Sequence, residues 1–167
     1  MPSPSRAWYR VRQLFAGLRP GVGSAEREEA RALLGDPLYG LFESMSLRDQ
    51  RHCLNVYGAL LVGGCQDSDL LRAALLHDAG KGRLASVEVR LWHRVSYVAL
   101  AVVRPSLLSR LSRGGGLAVI RHHAERGAVL AETLAASESV VQLIRRHEDR
   151  RSSDERLRWL READDLN

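Results

Sequence analysis

The sequence predicts an all-α, single-domain helical bundle, and three observations carry that expectation. Apolar residues recur at helical spacing along most of the chain. The apolar/polar alternation that marks strands is nearly absent. Stretches such as "RPGVG", "GDP" and "RGGG" cut the apolar stripes into helix-length pieces. At 167 residues the chain is long enough to bury a core as one domain.

The elements follow in order. A first amphipathic segment runs through Trp8, Val11, Leu14, Phe15 and Leu18 and stops at "RPGVG". Ser24 is the expected cap of a second helix reaching Leu34, which "GDP" ends. These form an N-terminal helical extension, residues 1–45, ahead of a core spanning 46–167. The core opens on "SLRD", a capping-box-like start with Ser46 as cap and Asp49 at N3, for a helix carrying His52 to about Leu61. A helix from about Ser68 ends at His77-Asp78-Ala79, with Gly80 as its stop. A long apolar helix fills 86–103 and breaks at Pro105, and a short one leads to "RGGG" (113–116). Three more are expected near 118–135, from Ser137 through Arg146, and from "SSDE" near Ser152 to the end. No internal repeat or low-complexity tract appears.

Composition narrows the function classes. Hydrophobic content of 45% with 27% charged residues is that of a soluble globular protein. The only two cysteines, Cys53 and Cys65, rule out a disulfide scaffold and point to packed thiols in a reducing cytoplasm. The longest apolar stretch, "VSYVALAVV" (95–103), lies between Arg94 and Arg104 and falls short of the ~20 residues a membrane span needs. The N-terminus shows no signal-peptide pattern, so a cytoplasmic protein is the expectation. A net charge of +5 favours anionic partners. No basic stripe is interleaved with aromatics, so a phosphate-bearing small molecule is expected rather than nucleic acid.

The informative polar residues lie on apolar stripes. His52 continues into Val56 and Leu60; His77 follows Leu70 and Ala74, and Asp78 follows Leu71 and Ala74. His123 shares a stripe with Val119 and Ile120, His147 with Val140, Leu143 and Ile144, and Asp164 with Leu157 and Leu160. A single histidine on such a stripe is most often a hydrogen-bonded core residue. Five helices turning metal-ligand residues inward are another matter. A buried carboxylate costs several kcal/mol unless paired, and the pattern positions no lysine and few arginines to pair Asp78 and Asp164. A divalent cation would serve both, and imidazole plus carboxylate suits mid-series metals.

In that order and spacing, His52, His77-Asp78 within "LLRAALLHDAGKG", and Asp164 within "LREADDLN" resemble the H…HD…D motif of the HD superfamily of metal-dependent phosphohydrolases. The resemblance covers about residues 46–167. "HAERG" (123–127) is similar to the H-P-E-x-G stretch of two-metal members, with Ala124 in place of proline. "RRHED" (145–149) is similar to their H-H-E stretch, with Arg146 in place of the first histidine, which leaves the second ion's ligand count open. His122 is the alternative to His123 if the register slips, and Glu148 and Asp165 are fallback ligands.

The resemblance implies hydrolysis of a phosphoester or phosphoanhydride, with a nucleotide as the expected substrate, by attack of metal-activated water. It implies His52, His77, Asp78 and Asp164 as ligands of one ion. Asp78 would bridge to a second ion completed by His123 and His147. One or two divalent transition-metal ions are expected: manganese, iron or nickel first, then magnesium, cobalt or zinc. No Gly-Tyr-Pro triplet follows His123, so the cyclic-di-GMP subset is not indicated. The motif "HD-x-x-K" with a following "H-x-x-x-G-A" is partly similar to members acting on dinucleoside polyphosphates.

Lys81 is the only lysine among the 25 Lys and Arg residues. Beside the HD pair, between Gly80 and Gly82, it is the expected catalytic contact to a phosphoryl oxygen. Arg51 is a second candidate phosphate contact. His93, beside Trp92, is expected in a core or lid. The 86–116 region is a candidate lid or homodimer face. The competing class is an inactive HD-type regulatory module that binds metal or nucleotide without turnover.

Overall fold

The computed structural model describes residues 21–82 and 115–167, with side chains from residue 121 onward in the second stretch. The expected helices at Trp8–Leu18, at 86–103 and before 113, together with His93, lie outside the described residues. Among the described residues stand seven α-helices and no strand: α1 (Ser24–Leu34), α2 (Asp36–Glu43), α3 (Leu47–Val62), α4 (Ser68–Leu76), α5 (Gly115–Thr133), α6 (Glu138–Arg146) and α7 (Glu155–Asp165). A short 3₁₀ turn, Ala79–Lys81, follows α4. The chain is all-α, as its periodicity requires.

Helix α4 is the hub. Leu70, Leu71, Ala73, Ala74, Leu75 and Leu76 are all buried, and α4 packs against both α3 and α6. Small residues at 73 and 74 let those neighbours approach on two sides, while the leucines fill the space between. The 3₁₀ turn lies against α5, and α7 packs across α3. The ends of α4 and α6, the middle of α3 and the last turn of α7 thereby converge.

Caps set where each helix begins. Ser46 caps α3, accepting from Asp49 N at 3.2 Å and donating to Asp49 Oδ2 at 2.7 Å. Ser46→Ala removes both contacts, one of them to a buried carboxylate. It is expected to lower stability by about 1–2 kcal/mol, read from urea denaturation. Asp67 caps α4 through Asp69 N and Leu70 N, and Ser137 caps α6 through Val140 N.

Several elements depart from expectation. Gly23, not Ser24, is the N-cap of α1, and Glu26 Oε2 accepts from its N–H at 2.9 Å. Helix α2 was not expected, because "GDP" reads as a break. Gly35 takes φ 74° to turn the chain, and Pro37 sits in the first turn of α2, where its missing N–H costs nothing. The "SSDE" helix starts later, with Asp154 as cap and Arg156 N as donor.

Candidate metal centre

Helix α4 stops at Leu76, earlier than the His77-Asp78-Ala79 end expected from sequence. His77 takes the C-cap position, and its Nδ1–H donates to Ala74 O at 2.9 Å. Helix α6 ends the same way: His147 is the C-cap, and its Nδ1–H donates to Ile144 O at 2.7 Å. A carbonyl can only accept, so Nδ1 carries a proton in both rings and Nε2 is the nitrogen turned toward the other polar side chains. Backbone carbonyls thus fix two imidazoles in the tautomer that presents Nε2 inward.

Each ring meets a partner from the middle of the preceding long helix. His52 Nε2 on α3 lies 3.3 Å from His77 Nε2, and His123 Nε2 on α5 lies 3.2 Å from His147 Nε2. The two pairs are built alike, with ring centroids 5.2 and 5.1 Å apart and planes inclined at 65° and 64°. The sequence shows no repeat, yet the same mid-helix plus C-cap device occurs twice.

Asp78 stands between the pairs. Its Oδ1 is 3.3 Å from His123 Nε2 and 3.8 Å from His77 Nε2, and its Oδ2 is 4.0 Å from His52 Nε2. Asp164, from α7, places Oδ1 at 2.9 Å from His52 Nε2 and 3.7 Å from His77 Nε2. The structure therefore brings together His52, His77, Asp78, His123, His147 and Asp164, all six residues singled out as ligands. His77, Asp78, His123 and His147 are buried. His52 and Asp164 are partly exposed, at 25% and 33% of their side chains, and form the open rim. Asp164 is thus less enclosed than its apolar stripe suggests.

The donor set fits a divalent cation. His52, His77 and Asp78 form one group and Asp78, His123 and His147 another, with the ligand atoms of each group within 4.8 Å of one another. Two imidazole nitrogens bound to one ion at about 2.1 Å, at angles between octahedral and tetrahedral, stand roughly 3–3.4 Å apart. That is the spacing of both pairs.

Lys81 alters the charge balance inferred from sequence. Its Nζ lies 2.6 Å from Asp78 Oδ1, so a lysine does pair this aspartate. The apolar stripes did not reveal it because Lys81 lies beyond the expected end of the helix, in the 3₁₀ turn that sets residue 81 against residue 78. Burial opposes ionisation of Asp78, yet the Lys81 ammonium, helped by His77 and His123, holds its carboxyl well below the usual range. Burial likewise opposes ionisation of Asp164, and hydrogen bonds from His52 and His77 hold it well below that range. Among the described residues the cluster sets two carboxylates against one ammonium, short of positive charge before any imidazole is protonated.

The imidazoles register that shortage. Burial disfavours a charged His77, but its facing groups raise it well above the ordinary histidine value. Burial pushes the neighbouring Cys53 thiol up and keeps it neutral, so the effective charges on His77 are the carboxylates. His77 Nε2 needs a proton or a metal ion between itself and those oxygens. Burial, with His77 and His123 beside it, pushes His147 down to about 3, leaving a neutral ring with its lone pair available.

Other sequence candidates resolve differently. Arg51 does not face the cluster: its guanidinium is held by Glu26 at 2.6 and 2.7 Å and by Gly21 O at 2.7 Å. It staples α3 to the start of α1, a correction to its expected phosphate contact. His122 is exposed while His123 is buried, which decides that register. Glu148 is exposed, and Asp165 pairs with Arg150 at 3.1 Å. Arg146, where the similar stretch has a histidine, faces solvent and pairs with Asp149 at 3.1 Å. Cys53 Sγ lies 3.8 Å from His77 Nδ1, a contact the sequence did not reveal. Cys65 is buried, its thiol 3.9 Å from Asp67 O.

No helix among the described residues is long and apolar enough to cross a membrane. Comparison with protein-family models, with curated proteins and with solved structures finds no match to this chain.

Proposed function

We propose that this chain is a metal-dependent phosphohydrolase of the HD type, cleaving a phosphoester or phosphoanhydride bond, with a nucleotide as substrate. The observation that carries the reading is Asp78, a buried carboxylate set between two imidazole pairs whose Nε2 atoms converge on it. His52, His77, Asp78 and Asp164 would hold one ion, and Asp78, His123 and His147 a second. An ion bound there supplies Lewis acidity toward a phosphoryl oxygen and makes water nucleophilic near neutral pH.

The chain's own groups do the rest. His77 and His147 each donate Nδ1–H to a backbone carbonyl, Ala74 and Ile144, so both rings already present Nε2 and no ring flip precedes binding. Asp78 stays ionised because Lys81 faces it, leaving oxygens that can address both imidazole pairs. The His52–Asp164 rim is the open side through which a substrate reaches the buried donors. Lys81, with 15% of its side chain exposed, can swing from Asp78 to a phosphoryl oxygen on its flexible stem. The net charge of +5 favours such an anion.

Protein purified without chelator is expected to carry about one to two equivalents of manganese, iron or nickel. It is also expected to hydrolyse at least one substrate in a survey of nucleoside monophosphates, dinucleoside polyphosphates and cyclic nucleotides with manganese present. Elemental analysis showing no metal, with no stabilisation on adding manganese, would remove the basis of the reading. Tight metal binding without turnover of any of these compounds would favour a regulatory module.

A further inference from the structure

Resting on the metal-binding reading above, we infer that Gly80 and Gly127 are positioning residues that join the two imidazole pairs into one centre. Gly80 is expected from sequence as a helix stop, yet it needs no left-handed backbone: among the described residues only Gly35 and Gly64 are glycines with positive φ. Its lack of a side chain serves a different purpose. A Cβ at residue 80 would overlap the carbonyl oxygen of His123 and stand 2.8 Å from the backbone nitrogen of Gly127. Both obstacles are main chain of α5, so no side-chain rotation relieves the clash.

The crossing is glycine on glycine. A Cβ at residue 127 would stand 3.1 Å from Gly80 N and 3.3 Å from Ile144 Cγ2, on the helix whose C-cap is His147. Gly127 lies one helical turn beyond His123, and Gly80 two residues beyond Asp78. The bare contact between them lets the 3₁₀ turn rest on α5, with Asp78 Oδ1 only 3.3 Å from His123 Nε2. A side chain at residue 80 lifts the turn off α5 and draws Asp78 away from the His123–His147 pair. The His52–His77 pair, held by α3 and the end of α4, does not depend on that contact. The glycine of "HAERG" thereby acquires a physical reason: it is the floor on which the HD turn sits.

The test is a double-mutant cycle in divalent-ion binding, using manganese with the full chain and titration calorimetry. Gly80→Ala and His123→Ala are each expected to weaken the same binding event at least tenfold, and the double variant to lose no more than either alone. Gly127→Ala, whose clash is milder, is expected to weaken that event by less and keeps the test decisive if Gly80→Ala does not fold. Gly82→Ala crowds the same turn from its other side, against Ala79 O and Ser44 at 3.2 Å. It is expected to lower the melting temperature while leaving ion binding unchanged. Additive losses, or unchanged binding in both Gly80→Ala and Gly127→Ala, would overturn the inference alone. Wild-type protein that binds no manganese would overturn the reading of the site and this inference with it.

Discussion

On the proposed phosphohydrolase reading, Asp78→Ala is expected to cost the protein most of its divalent-ion binding and to abolish hydrolysis of the phosphoester substrate. Among the described residues Asp78 is the carboxylate set between the two imidazole pairs: its oxygens lie 3.3 Å from His123 Nε2, 3.8 Å from His77 Nε2 and 4.0 Å from His52 Nε2. Removing it leaves His123 and His147 without the carboxylate between the pairs, and two imidazoles alone are a poor match for a dication. The His52–His77 pair keeps Asp164, so a weakened residual site is expected there. Asp78→Asn keeps the shape and loses the charge, and should behave nearly as badly. Removing one member of a buried ion pair costs about 3–5 kcal/mol when the other stays trapped. Here the Lys81 ammonium, 15% exposed, can turn toward water, so the metal-free variant should fold with a smaller loss. Elemental analysis and chemical denaturation together check this. Two ions retained in Asp78→Ala would sink the shared-carboxylate arrangement.

Lys81→Ala is expected to separate catalysis from metal holding. An ammonium is not a metal ligand, and Nζ sits 2.6 Å from the same Oδ1 that faces His123. Without it, Asp78 loses the cation that competes for its oxygen, so ion affinity should hold or rise. If the proposed hydrolase uses Lys81 on a phosphoryl oxygen, hydrolysis should fall by ~10²–10³, the equivalent of about 2.7–4 kcal/mol for a charge-assisted contact that strengthens in the transition state. Lys81→Arg should restore charge but not full rate, because a planar guanidinium is bulkier and less mobile than an ammonium on a four-carbon stem. Measuring ion affinity and kcat on the same preparations decides the matter. A Lys81→Ala enzyme working at the parent rate would reduce Lys81 to the counter-ion of Asp78 and nothing more.

What was legible in the sequence followed from periodicity and local chemistry. The stripes through Leu70–Ala74, Val140–Ile144 and Leu157–Leu160 mark the buried faces of α4, α6 and α7. The Ser46–Asp49 start of α3 was equally plain, because a cap and its target lie three residues apart. Helix α2 was missed because Gly35 and Pro37 read as breakers, although Leu38, Leu41 and Phe42 already showed helical spacing. Proline in a first turn begins helices as readily as it ends them.

The sequence by itself determined the helical class and which polar residues lie on apolar faces, since both depend on spacing within one helix. Only the tertiary structure decided which of those residues meet. Arg51 and His52 are neighbours in the chain, yet about 100° apart around α3; one is held by Glu26 and the other faces Asp164. Lys81 meets Asp78 across the 3₁₀ turn, Ala79–Lys81, that follows the end of α4, and that turn rests against α5. Gly80 looks like an ordinary helix stop until the main chain of α5 is seen against it, 43 positions on at His123 and again at Gly127. Contacts between helices depend on how closely backbones can approach, and that is a property of two surfaces together, which no single stripe of residues encodes.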